Sequence, residues 1–255
     1  MLNNPAFWQG RLKAAGIHLT ISLAVAALAA LLVFFVWYPY PYREISGGRE
    51  LFLLVVVVDV IMGPLMTLAV FNLKKPRKEL RRDLVVIGLL QLAALVYGLW
   101  TVAIARPVHL VFEFDRFRVV HAVDVEPGLL KRAAPDLQQL PVMGPTLLSV
   151  RAFKDNKESF DATMAALQGL ELGARPDFWQ GYEKAKTQII AEAKPVADLK
   201  TRFPARVIDI DAALAAVPAN TPVGYIPLHS RSAFWTVLVN TNTAEVLGFV
   251  PLDPY

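Results

Sequence analysis

The chain has 255 residues, 55% of them hydrophobic, and a mean hydropathy of +0.42, more apolar than a soluble domain of this length needs. Residues 1–106 carry 11 Lys/Arg against 5 Asp/Glu, a net of +6, and residues 107–255 carry 15 against 17, a net of −2. Nucleic-acid binding would require basic residues clustered on the polar half, and the absence of cysteine excludes disulfides, cysteine-ligated zinc and a cysteine nucleophile.

The first apolar run extends from Gly16 to about Tyr38. It is too long for the core of a signal peptide and ends in aromatics, not a small-residue cleavage site. Met1–Gly10 before it has no early positive region, so the run reads as a retained anchor. A second run covers Leu51–Leu73 and a third Leu84 to about Ala105. Each has about 22 residues, which at ~1.5 Å per residue crosses the ~30 Å hydrocarbon core. Lys74–Asp83, between the second and third, holds six basic residues and predicts a cytoplasmic loop. Arg11 and Lys13 then face the cytoplasm as well, while Pro39–Glu50 and everything from Pro107 lie outside. Trp37, Tyr38, Tyr40, Tyr42 and Trp100 fit an aromatic belt at the outer face. The expected architecture is a membrane protein: a three-helix transmembrane bundle over residues 1–106, then a mixed α/β extracytoplasmic domain over residues 107–255.

Asp59 falls near the middle of the second span. A carboxylate there costs several kcal/mol unless it is protonated, paired or facing protein, so it is a candidate site for intramembrane interaction. Gly63-Pro64 follows one turn on, and the proline frees the carbonyl four residues back and kinks the helix. Matching depth on the antiparallel third span nominates Tyr97 as a partner for Asp59. Gln91 and His18, closer to the inner face, read as helix-contact or interfacial residues. An acid beside a kink also suggests an ion pathway, but one acid among three helices makes a poor transporter.

Beyond Pro107, Val108–Phe114 and Phe117–Val123 are β-rich and joined by Asp115-Arg116, a hairpin pattern. Thr146–Phe153 predicts a strand. Asp155–Glu158 reads as a capping box opening a helix, with Phe160, Met164 and Leu167 on one face and Gly169 near its end. A second helix is expected over Pro176–Lys194, with Trp179, Tyr182, Lys186, Ile189 and Ile190 on a single face. Arg206–Ile210 suggests a short strand followed by an Ala-rich helix from Asp211. Phe234–Asn240 and Ala244–Val250 form an expected terminal hairpin. His109, His121 and His229 have no ligand at metal spacing, and Glu113 with Asp115 reads as a solvated rim. No HExxH, Gly-x-Ser-x-Gly or P-loop occurs. The expectation is a protein without enzymatic activity, metal or cofactor.

The WYPYPY stretch at 37–42, Gly47-Gly48 with Glu50-Leu51-Phe52, and VDVIMGPLMTLAVFN at 58–72 carry a resemblance. KKPRKELRRDL at 74–84, QLAALVYGLW at 91–100 and ARPVHLVFEFDRFRVV at 105–120 continue it in order. Together they resemble the TfpX/TfpZ family of type IV pilin accessory proteins. The resemblance implies a bacterial inner-membrane protein with a cytoplasmic N-terminus and a periplasmic C-terminal domain. It also implies a role in modulating pilus assembly through contact with pilin or the assembly machinery, without a small-molecule substrate. Asp59, Gly63 and Pro64 are then the candidate pilin-facing surface. The competing class is a membrane-anchored periplasmic ligand-binding or sensor protein, disfavoured because the cytoplasmic segments are too small for an output domain.

Overall fold

The computed structural model describes residues 5–72, 74–231 and 233–255. Met1–Asn4 and Leu73, where the sequence ends the second span, lie outside the described residues. The chain forms two compact units, one from residues up to Val36 together with Gly48–Ile104, the other from Trp37–Gly47 together with Ala105–Tyr255. The aromatic stretch after the first span therefore packs with the second unit.

The first unit is helical. Helix α1 (Pro5–Leu31) continues into a π-helical turn at Leu32–Trp37. A short helix, α2 (Tyr42–Ile45), belongs to the second unit. Next come α3 (Gly48–Val56), a π-helical turn at Val57–Met62 and α4 (Gly63–Val70), followed by α5 (Arg77–Ile104). Trp8–Trp37, Gly48–Val70 and Arg77–Ile104 are three helices long and apolar enough to cross a membrane. Leu89, Leu90, Leu92 and Val96 of α5 are exposed, as are Leu28, Leu31, Leu53 and Leu54. A surface this apolar is suited to lipid and not to water. Two of the helices begin well before the apolar runs do. Gln9–Ala15 is rich in good helix formers, and α5 opens directly after Pro76 with Arg77–Asp83 on its first turns, Asp83 paired with Lys75 at 2.6 Å. Part of the expected basic loop is thus helix, because hydropathy marks where a helix meets lipid and not where it starts.

The second unit is an eight-stranded sheet with helices on its faces. Its strands are β1 (Pro107–Glu113), β2 (Arg116–His121), β3 (Thr146–Val150), β4 (Trp179–Gly181), β5 (Lys194–Pro195), β6 (Val223–His229), β7 (Phe234–Asn240) and β8 (Val246–Val250). They lie in the order β4-β3-β1-β2-β6-β7-β8, with β5 also on β6. The β1/β3 and β2/β6 pairs are parallel and the rest antiparallel. The remaining helices are α6 (Pro127–Leu130), α7 (Asn156–Leu167), α8 (Lys186–Glu192), α9 (Val196–Arg202) and α10 (Val207–Ala215). Leu110, Phe112, Phe117, Ile226 and Val237 pack against Tyr42, Ile45, Tyr182 and Ile189. Val108, Val111, Val120 and Leu148 pack against Ala162, Phe178 and Trp179 in a second cluster, and α9 and α10 cover Tyr225, Leu238 and Val250 in a third.

Several local expectations are corrected. The Pro176–Lys194 helix is instead a 3₁₀ turn, strand β4, a second 3₁₀ turn and the short α8. Pairing of β4 with β3, and the Trp179 Nε1 hydrogen bond to the Gly173 carbonyl at 2.7 Å, override the helical spacing. Arg206–Ile210 is not a strand. Val207 opens α10, and Arg206 pairs with Asp209 across its first turn. The Asp155 cap forms, its Oδ1 accepting from the Glu158 N–H at 2.8 Å, but Glu158 bonds the Lys154 N–H and Arg151 instead of closing the box. The apolar face of α7 is outward, with Phe160, Met164 and Leu167 exposed and Ala162 buried. Strand β6, which joins the two halves of the sheet, went unread because Pro227 interrupts its pattern.

Candidate functional site

Asp59, Gly63 and Pro64 are brought together with Gln91. A π-helical turn pairs each carbonyl with the N–H five residues on, so the Asp59 carbonyl is directed at residue 64. Pro64 has no N–H to give. Gln91 Nε2 on α5 takes that place, donating to the Asp59 carbonyl oxygen at 3.2 Å. Gly63 makes the approach possible, since a Cβ there would lie 1.8 Å from Gln91 Nε2 and 2.6 Å from its Cδ. The backbone at Gly63 is ordinary helix, φ −62° and ψ −56°, so the glycine serves clearance and not conformation. Gly98 on α5 likewise gives clearance, there to α3, where a Cβ would meet Val55 Cγ2 at 2.6 Å. His18 Nδ1 and Thr67 Oγ1, 2.5 Å apart, tie α1 to α4.

Asp59 is 6% exposed, and its Oδ1 and the Gln91 Oε1 are both buried without a hydrogen-bond partner. Two cavities meet at this carboxylate. One, about 270 Å³, is lined by His18, Ser22, Asp59, Gly88 and Gln91 among others. The second, about 350 Å³, lies between α3 and α5 and is lined by Val55, Val58, Asp59, Tyr97 and Gly98 among others. Tyr97 shares this second wall with Asp59 but forms no hydrogen bond with it. Its side chain is 68% exposed, with the ring 5.9 Å from Trp100. Depth matching pointed to Tyr97, but the contact to the Asp59 backbone comes from Gln91, further along α5 toward its N-terminus. Gln91 was legible as a helix-contact residue, yet its particular partner depends on which way two helices face.

Chemically the arrangement offers hydrogen-bond acceptors in an apolar setting. It can receive a donor.

In the sheet unit the conspicuous charges are paired. Glu113 is buried, not a solvated rim. Arg118 Nε donates to both its oxygens at 2.9 and 3.0 Å, and the Gly173 N–H donates to Oε1 at 2.5 Å. Alternation placed Glu113 on the same face as Asp115, but the 172–174 turn covers only the former. A cleft of about 510 Å³ where β2 and β6 diverge is lined by Arg118, His121, Asp124, Glu171 and Arg231 among others. Its charges compensate one another, Arg118 with Glu171 at 3.2 Å and Arg231 with Asp124 at 2.6 Å. Burial would raise the Asp124 carboxyl, but hydrogen bonds and charge from His121 and Arg231 hold it below its ordinary value. His109 is buried between Thr146 Oγ1 at 2.7 Å and the Trp179 ring, and burial pushes it down to about 4. His229 meets the Tyr255 hydroxyl at 2.9 Å and is also held at about 4, by burial first and then by Arg118 and Arg116. Among the described residues no group of three or more His, Asp or Glu side chains could hold a metal ion.

A family model described as Fimbrial assembly protein FimB matches residues 6–47. Over 246 residues the chain is 39% identical to the fimbrial assembly protein of serogroup I from Dichelobacter nodosus, covering 95% of each chain. It is 37% identical to the serogroup E1 protein of the same organism over the same share of both. The protein of serogroups C1 and C2 is 46% identical over 113 residues, 44% of this chain and 86% of that one. No solved structure matches.

Proposed function

The chain belongs to the fimbrial assembly protein family, and from that membership we propose that it is an inner-membrane accessory protein modulating type IV pilus assembly by contacting pilin or the assembly machinery. In this reading the three long helices span the bilayer, the basic stretch around Lys74–Arg82 stays in the cytoplasm and the sheet unit is periplasmic. The exposed leucines of α1, α3 and α5 support the first of these, and the charge asymmetry between loops supports the other two.

The observation that carries the mechanism is the pair of unpartnered acceptors, Asp59 Oδ1 and Gln91 Oε1, inside an otherwise apolar helical unit. In hydrocarbon a donor on a neighbouring span gains more from such acceptors than it would in water, because no solvent competes. A single-span subunit waiting in the membrane before assembly meets that description. Asp59, with Tyr97 on the same cavity wall, forms the surface that receives it, and the Gly63-Pro64 step is buried behind it, where it admits Gln91. The sheet unit, where no catalytic arrangement stands out, serves recognition of the subunit's soluble part.

Photo-crosslinking in cells tests this, with probes at positions around Asp59 and on the sheet unit, blotted for the fimbrial subunit. Adducts from the Asp59 face and not from the opposite face of the same helix are expected. Absence of subunit adducts from both regions in a well-expressed protein would remove the contact mechanism.

A further inference from the structure

Loop Pro141–Pro145 contains no charged residue, and its Val142 and Met143 are 69% and 71% exposed. Large apolar side chains held out at a loop tip call for a partner, and the sheet says where this tip lies. Strand β1 starts at Pro107, directly after the third long helix ends at Ile104. Strand β3 lies parallel beside it, with His109 level with Thr146 and Leu110 with Leu147. Because the two strands are parallel, the loop that leads into Thr146 lies at the end of the sheet where β1 begins. One hydrogen bond holds the loop there, Arg106 Nη2 donating to the Pro141 carbonyl at 3.1 Å, and Gly144 lies beside Pro39, where an added Cβ would be 3.7 Å from Pro39 Cγ. Pro39 follows the first long helix, which ends at Trp37. The loop is thus tied to one place where the chain passes between a long helix and the sheet unit and lies beside the other. Val123, 53% exposed, lies at the same end, since His121 pairs with Pro107.

We propose that Val142 and Met143 insert into the outer boundary between lipid headgroups and acyl chains, making the Pro141–Pro145 loop a lipid anchor for the sheet unit. This rests on the reading that the three helices span the bilayer. The occupant is lipid because connectivity fixes the tip at the level where spans emerge, and its uncharged, proline-bracketed sequence carries nothing that water would hold back. The anchor would limit the tilt of the sheet unit over the membrane and so fix which of its faces meets a partner.

The chain contains no cysteine, so single-cysteine labelling needs no background removal. The full chain carrying Met143→Cys, and separately Leu90→Cys on the exposed face of α5, is labelled with an environment-sensitive dye and reconstituted into vesicles. Spin-labelled lipids with the quencher shallow or deep on the acyl chain report depth. The expected result is blue-shifted Met143→Cys emission quenched most by the shallow label, with Leu90→Cys quenched most by the deep one. Emission from Met143→Cys like that of the dye–glutathione adduct in water, with Leu90→Cys still quenched, would overturn the anchor and leave the spans standing. A blue shift that no spin-labelled lipid quenches would mean protein covers the tip, which also overturns it. Loss of quenching at both positions would overturn the spanning reading and the anchor with it.

Discussion

Replacing Gly63 with alanine, alone and together with Gln91→Ala, tests how the site around Asp59 is built. Gly63 has helical dihedrals, so alanine there gains about 1 kcal/mol of helix propensity. In the intact protein the new methyl would overlap Gln91 Nε2, forcing the amide to swing away. The Asp59 carbonyl then loses its donor, and an interhelical hydrogen bond in a bilayer contributes about 0.6–2 kcal/mol. The two effects nearly cancel, leaving Gly63→Ala neutral to destabilising by about 1 kcal/mol. In the Gln91→Ala background no amide is displaced, and the same change stabilises by about 1 kcal/mol. The difference between the two backgrounds, about 0.6–2 kcal/mol, is the coupling between notch and amide. Reversible unfolding of the protein in mixed micelles titrated with SDS, followed by far-UV circular dichroism, measures all four variants. An effect of Gly63→Ala that is the same in both backgrounds would refute the reasoning.

Asp59→Asn should reduce fimbriation without lowering the protein's abundance, as read by surface fimbriae counted against membrane immunoblots; a parallel fall in abundance would make Asp59 structural. Tyr182→Phe removes the hydroxyl that donates to the Ala244 carbonyl at 2.6 Å and should cost about 1–3 kcal/mol by denaturant titration, since that carbonyl is buried. Glu113→Ala should cost about 3 kcal/mol or more, because Arg118 and the Gly173 N–H lose a shared acceptor, and a thermal melt of the sheet unit would report it. His109 is held at about 4 against 6.5 when unfolded, so between these values the unfolded chain binds the extra proton. Its contribution is complete above pH 6.5 and is lost as pH falls toward 4, up to about 3 kcal/mol, and His109→Gln should flatten that part of the stability–pH curve.

The correspondence between sequence and structure differs between the two units for a physical reason. In the helical unit the signal is one-dimensional. A run of apolar residues long enough to cross hydrocarbon must satisfy its own backbone hydrogen bonds, so Leu84–Ala105 could hardly be anything but helix. The hairpin of β1 and β2 and that of β7 and β8 were equally legible, because alternation and a short polar turn are local signals. The spacing of Trp179, Tyr182 and Ile189 suggests one helix, yet Trp179 packs in a different cluster from the other two, and spacing cannot distinguish a shared face from separate ones.

By itself the sequence determined three long apolar helices, a mixed α/β unit after them, and Asp59 with Gly63-Pro64 as the anomaly in the second helix. Tertiary structure decided the rest. It chose Gln91 over Tyr97 as the partner of the Asp59 segment, buried Glu113 against Arg118 and turned the apolar face of α7 outward. It also tied the Pro141–Pro145 loop to Arg106. These depend on which face of one element meets which face of another, as where Gln91 meets Asp59 and Gly173 meets Glu113 across 32 and 60 positions, a relation that no local pattern encodes.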